Sequence, residues 1–168
     1  MSRADIERAE RLRAAERIVE DTGVEKWTNL VQMFFGQALR LGDAPFLWRK
    51  TGGQWQQISW AQAATRVASF ATALQALGLQ PGDRVVLVSE NRPEFCLWDL
   101  AIMAAGGITV PTYTTNTARD HTHILENSGA IGAIVSTAKL ARTLAEAAYQ
   151  ASACRFLIGM EPLKLGQA

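Results

Sequence analysis

Apolar and polar residues alternate along this chain in two periods, and the period changes several times between residues 28 and 158. Leu30, Val31, Met33, Phe34, Ala38 and Leu39 recur at helical spacing. They predict a helix from Asn29 to about Arg40, capped by Thr28 and broken at Gly42-Asp43. Phe46–Arg49 and Trp55–Ile58 read as two short strands around Thr51-Gly52-Gly53, a hairpin signal with glycines free to take positive φ. Ser59, with Gln62 three residues on, predicts a capped helix whose inner face is Ala63, Val67, Phe70, Ala71, Leu74 and Leu77, ending at Gly78.

From there the pattern is strand, helix, strand. Arg84–Ser89 is a buried strand after the Pro81-Gly82-Asp83 turn, and Pro93 opens an apolar helix through Phe95, Leu97, Trp98, Leu100, Ala101, Ile102 and Met103. Gly106-Gly107 ends it, and Ile108-Thr109-Val110 makes a strand expected to stop at Pro111. Thr117 caps a helix closing at Ser128-Gly129, Ile131–Val135 is a third strand, Ser136 or Thr137 caps a helix to about Gln150, and Arg155–Ile158 is a fourth strand. Alternating strands and helices predict an α/β fold: a mostly parallel sheet covered by helices on both faces, with a small N-terminal hairpin. Ligands of such sheets bind beyond the carboxyl ends of the strands, which places the first candidate surface at the Thr112–Thr117 loop.

Residues 1–27 carry closely mixed charges and a thin apolar stripe, predicting a charged helical leader, and residues 159–168 show no usable pattern. The leader has neither the uninterrupted apolar core of a secretory signal nor the acid-poor composition of a mitochondrial presequence. The cytosol is therefore the expected compartment, with peripheral membrane contact left open. A net charge of +1 without a basic stripe argues against a nucleic-acid partner. Cys96 and Cys154 lie far apart in apolar surroundings and are expected to be buried free thiols.

Chemistry-bearing motifs are sparse. The chain has no GxGxxG after a strand, no GxxxxGK[ST] and no GxSxG elbow. His121 and His123 stand two apart on a helix, about 200° around its axis, so they cannot share one ligand and read as partly exposed surface histidines. Arg92, at the start of a helix, suits either an anion or a structural pairing with Glu94 or Glu90, and the pairing is the stronger reading. Lys139 and Arg142 are one helical turn apart beyond the third strand, a spacing that suits a solvated face or a phosphate grip.

The run from Ser59 to Ala133 resembles the N-terminal region of AMP-forming acyl-CoA synthetases. The matching pieces are Ser59–Gln62, Ala73–Val85, Ser89-Glu90-Asn91-Arg92-Pro93-Glu94-Phe95, Ala104–Pro111 and Thr112-Tyr113-Thr114-Thr115-Asn116-Thr117. The fourth and fifth, with Ser-Glu-Asn-Arg-Pro-Glu, look most like the long-chain fatty-acid branch. The resemblance covers roughly residues 28–158. It implies a longer enzyme that uses ATP and magnesium to make an acyl-adenylate, then passes the acyl group to coenzyme A. That enzyme's substrate would be a fatty acid, and a homodimer stays open.

The phosphate loop, metal-binding acid and catalytic lysine of such enzymes have no counterpart in this sequence. The chain is thus expected to be an N-terminal part, inactive alone, with no catalytic or metal-binding residue. The resemblance further implies that Thr112, Tyr113 and Thr114 lie near the coenzyme A channel, and that Lys139 or Arg142 approaches the nucleotide end of coenzyme A. Two alternatives stay open: a natural short binding module that kept the fold, and part of an adenylating enzyme that loads a carrier protein.

Overall fold

The computed structural model describes residues 27–163. The leader expected over 1–27 falls outside the described residues except for Trp27, as do residues 164–168 of the expected tail. Helix α1 spans Leu30–Leu41, and its cap is Asn29, whose side chain accepts from the Gln32 amide at 2.9 Å. Thr28, one residue earlier, instead donates its hydroxyl to the Gln32 side chain. Only Phe34 and Ala38 of the expected inner face are buried, while Leu39 is 90% exposed. Val31 and Met33 of the same stripe are half-buried.

Strands β1, Pro45–Thr51, and β2, Gln54–Ser59, form the hairpin, joined by Gly52 and Gly53 at φ 57° and 81°. Ser59 and Gln62 make the expected reciprocal cap at the start of α2, Trp60–Ala76. Its buried line is Ala63, Val67, Ala71 and Leu74; Leu77 is half exposed, and Phe70 stacks on Trp98 at 4.1 Å between ring centres.

The main sheet contains β3, Arg84–Val88; β4, Ile108–Thr112; β5, Gly132–Val135; and β6, Phe156–Gly159. All four are parallel, in the order β4-β3-β5-β6. The crossovers are α3, Pro93–Ala104; α4, Ala118–Ser128; and α5, Ala138–Gln150. Side chains of β3 alternate between two cores, as the two-residue period demands. Val85 and Leu87 pack with Leu74, Leu97 and Ile102 under α2 and α3; Val86 and Val88 pack with Leu125 and Leu144 under α4 and α5. The predicted sheet covered on both faces is therefore present.

Three expectations need correction. Strand β4 runs through Pro111 to Thr112, because it lies at the sheet edge, where a missing amide hydrogen removes no ladder bond. Cys96 is exposed and Cys154 half-buried, so neither is a core thiol. His121 is 1% exposed, packed inward from the first turns of α4, and its Nδ1 has no hydrogen-bond partner.

Burial lowers the His121 pKa, with a smaller opposing pull from Asp120. The folded protein thus disfavours the imidazolium, and the unfolded chain binds the extra proton more readily. Its contribution to stability is complete above the unfolded value near 6.5 and falls as pH drops below it, by at most about 1.4 kcal/mol per pH unit for one proton. Glu90, Glu94 and Asp120 are all shifted below their ordinary range and titrate at lower pH. Urea titrations at pH 7.5 and 5.5 should show His121→Leu losing less stability on acidification than the wild type. Equal losses would mean the imidazole protonates freely in the fold. Among the described residues, no helix is long and apolar enough to cross a membrane.

Candidate functional site

Sheet order creates the site. The chain leaves β3 toward α3 on one face and leaves β5 toward α5 on the other, although β3 and β5 are neighbours. A crevice opens at the carboxyl ends where adjacent strands part in this way. Ser136, fully buried at the end of β5, donates its hydroxyl to the Glu90 carboxylate, which follows β3. Its amide bonds the Val88 carbonyl at 3.0 Å, tying the two strand ends together. The Ser136 hydroxyl, then the backbone hydrogen bond within Glu90, hold the Glu90 carboxyl below the usual carboxylate range.

Toward the sheet edge, the same rim carries an open cleft of about 340 Å³ lined by Ser89, Asn91, Phe95, Pro111, Thr112 and Tyr113. Tyr113 is 79% exposed at its mouth. The following loop is fixed from within, since Asn116 Nδ2 donates to Thr112 Oγ1 at 2.6 Å and Thr117 with Asp120 forms a reciprocal cap on α4. This rim combines an apolar wall with hydroxyl and amide groups, suited to a flexible ligand of mixed polarity. Hollows of similar size lie elsewhere among the described residues. A polar groove of about 340 Å³ between α4 and α5 includes Arg119, His123, Glu126 and Glu146. An apolar depression of about 290 Å³ lies between α1 and α3. Another, of about 310 Å³, lies between α1 and α2, lined by Phe35, Ala38, Leu39, Ala61 and Ala64. None of these is at the strand ends.

Of the residues singled out from sequence, Thr112 and Tyr113 line the cleft and Thr114 does not. Lys139 and Arg142 are exposed on the first two turns of α5, beyond β5, and make no ion pair among the described residues. They share the carboxyl rim with the cleft but stand two strand positions from β4. Arg92 is structural: its Nε bonds Glu94 at 2.9 Å and its Nη1 bonds Glu161 at 2.8 Å, while Arg49 reaches Glu94 at 3.0 Å. Burial pushes the Glu94 carboxyl up, but the Arg92 hydrogen bond and neighbouring cations outweigh it and the net shift is downward.

Ser89, Asn91 and Phe95 of the cleft and the Glu90–Ser136 contact were not anticipated as a unit. They come from separate segments joined only by strand order. Among the described residues, no cluster of three His, Cys, Asp or Glu side chains could hold a metal ion. No described residue is assigned to the magnesium that the sequence resemblance implies.

The profile of the AMP-binding enzyme family matches residues 34–165. A long-chain-fatty-acid–CoA ligase of Mycobacterium tuberculosis, FadD15, is 35% identical over 127 residues, covering 76% of this chain and 21% of that protein. The long-chain-fatty-acid–CoA ligase of Yersinia pestis is 32% identical over 128 residues, covering 75% of this chain and 22% of its own length. In three dimensions, the N-terminal domain of FACL13 from Mycobacterium tuberculosis superposes with a TM-score of 0.68 at 24% identity, over 79% of this chain and 33% of that one. The chain therefore spans about a fifth of the length of the curated relatives it matches.

Proposed function

The chain belongs to the AMP-binding enzyme family, and from that premise we propose that it is the N-terminal part of an acyl-CoA ligase acting on a long-chain fatty acid. The carrying observation is the 35% identity to a long-chain-fatty-acid–CoA ligase over 127 residues, most of the described domain. In the longer protein, ATP and magnesium would drive formation of the acyl-adenylate, and coenzyme A would take the acyl group. The groups that hold the triphosphate and metal would come from outside this chain, so the chain by itself forms no acyl-adenylate. A cytoplasmic setting and a homodimer fit this reading.

The role assigned to this part is one wall of the coenzyme A path. Thr112, which ends β4, and Tyr113, which follows it, would face the pantetheine-like stretch, where a mixed apolar and hydroxyl surface is useful. Lys139 and Arg142, exposed on α5 at the same rim, would meet its nucleotide phosphates. The test uses the longer protein carrying this chain. It should catalyse ATP–pyrophosphate exchange only when fatty acid is present. Arg142→Ala should leave that exchange unchanged and raise the KM for coenzyme A about tenfold, the effect of losing one charge-assisted contact. Absence of acid-dependent exchange would refute the ligase reading; an unchanged KM would refute only the assignment of Arg142.

A further inference from the structure

The two halves of the rim are carried by connections that leave neighbouring strands toward opposite faces. The turn after β3 supplies Ser89 and Asn91 to the cleft and leads into α3. The turn after β5 leads into α5, which carries Lys139 and Arg142. Two strand spacings, roughly 10 Å, separate β4 at the far wall of the cleft from β5. Since α3 belongs to one core and α5 to the other, the helices cannot brace the two turns against each other through the sheet. That falls to contacts at the crevice. There the Ser136 amide bonds the Val88 carbonyl at 3.0 Å, and the Ser136 hydroxyl donates to the Glu90 carboxylate. The Ser89 hydroxyl donates to the Glu90 carbonyl at 2.9 Å, so the turn is held through backbone as well as side chain. The two partners differ in burial, since Ser136 is fully buried and Glu90 is exposed. Water can satisfy an exposed carboxylate, so its bond to a buried hydroxyl adds little to stability. What the bond fixes is where the turn lies. That hydroxyl is also the first cause holding the Glu90 carboxyl below its usual range, which keeps it ionised and able to accept at neutral pH.

We propose that Ser136 and Glu90 are positioning residues that hold the cleft wall in register with the α5 cations, so that one extended ligand is gripped at both ends. The inference rests on the coenzyme A reading above and adds to it two residues that act through others. Coenzyme A has the required form, with a flexible arm of mixed polarity for the cleft and phosphates for Lys139 and Arg142. Each half of the rim binds weakly alone, and the second contact gains from the first only while the spacing lets both engage together. Releasing the turn lowers that gain. The loss falls on binding of the whole ligand, so it raises KM and leaves kcat nearly as it was.

The test measures kcat and KM for coenzyme A in the longer protein carrying this chain. Ser136→Ala and Glu90→Ala should each raise that KM about fivefold, and the double variant should do no more than either alone. Glu90→Gln keeps an acceptor for the Ser136 hydroxyl and should stay within about twofold of wild type. Arg84→Met is the control for lost stability, because its side chain bonds backbone carbonyls at the opposite end of β3; it should leave the KM unchanged. An unchanged KM in Ser136→Ala would overturn the inference, as would an equal rise in Arg84→Met. Glutamine as poor as alanine at position 90 would overturn it too, since charge and not placement would then matter. A second readout uses this chain and needs no ligase. Glu90→Ala should speed hydrogen exchange of the Ser136 amide about fivefold. The Ile131 amide, bonded to the Arg84 carbonyl at 2.9 Å at the other end of the same strand pair, should keep its rate. Equal rates at Ser136 in variant and wild type would mean that the pair fixes nothing. Absence of acid-dependent ATP–pyrophosphate exchange in the wild type would remove the coenzyme A role together with the ligase reading, and the amide rates would still decide whether the pair holds the rim.

Discussion

Leu87→Ala should lower the unfolding free energy by about 2–5 kcal/mol, a large share of the 5–15 kcal/mol typical of a domain. Leu87 is fully buried on β3, an interior strand with β4 on one side and β5 on the other. Its side chain enters the core under α2 and α3, among Leu74, Leu97 and Ile102. These neighbours belong to two helices, α2 and α3, packed into the same core, so little can relax into the space left by the deleted carbons. The cost then includes a cavity as well as lost transfer energy. Leu77→Ala is the control. Leu77 is 48% exposed at the end of α2, and its truncation should change stability by less than about 0.5 kcal/mol. Urea unfolding of both variants, compared at equal m-values, decides the matter. Equal effects would mean that the two-sided core is not closed around β3.

The contrast between those two leucines also shows what a sequence can tell. Both sit in clear apolar patterns, and Leu77 completes the helical stripe begun by Ala63 and Val67. Periodicity names the stripe but cannot say how far along it the neighbouring layer extends. Leu39 and His121 fail for the same reason in opposite directions: one apolar residue is left outside and one polar residue is taken in. Capping is more legible because its partners lie within four residues. Ser59 with Gln62, Thr117 with Asp120, and Thr137 with the Leu140 amide all occur where local chemistry puts them. The choice between the adjacent Thr28 and Asn29 was finer than that chemistry resolves.

The candidate rim was half legible. A polar, hydroxyl-rich stretch after a buried strand marks a carboxyl edge, and Thr112 and Tyr113 do line the cleft. Strand order is not written locally. Nothing in the spacing of Glu90 and Ser136 says that β5 returns to the other side of β3 and brings their side chains together. Long-range hydrogen bonds of this type depend on topology, and topology follows from packing both faces of the sheet at once.

Arg84→Met should cost about 2–4 kcal/mol, although Arg84 begins β3 and looks from sequence like an ordinary strand flank. Helix α4 ends at Ser128 with no basic residue in its last turn. The Ser128 hydroxyl and the Gly129 and Ala130 amides serve the Ile124, Glu126 and Leu125 carbonyls, but the helix supplies no cation to its negative dipole end and leaves the Ser128 and Gly129 carbonyls to a distant donor. Arg84 supplies that cation from across the sheet. Its Nε donates to the Ser128 carbonyl at 2.7 Å and its Nη2 to the Gly129 carbonyl at 2.9 Å, while Nη1 reaches the Gly82 carbonyl at 3.2 Å. Gly129 is suited to this seat twice over. It takes φ 60°, and a Cβ there would lie 2.6 Å from Arg84 Nη2. Methionine keeps the length of the side chain but leaves part-buried carbonyls unpaired, which accounts for most of the loss. Arg84→Lys should recover only part of it, since one ammonium cannot match a planar fork aimed at three acceptors. The reading requires the order wild type, lysine, methionine in urea midpoints. A methionine variant within about 0.5 kcal/mol of wild type would show that water satisfies the end of α4 as well as Arg84 does.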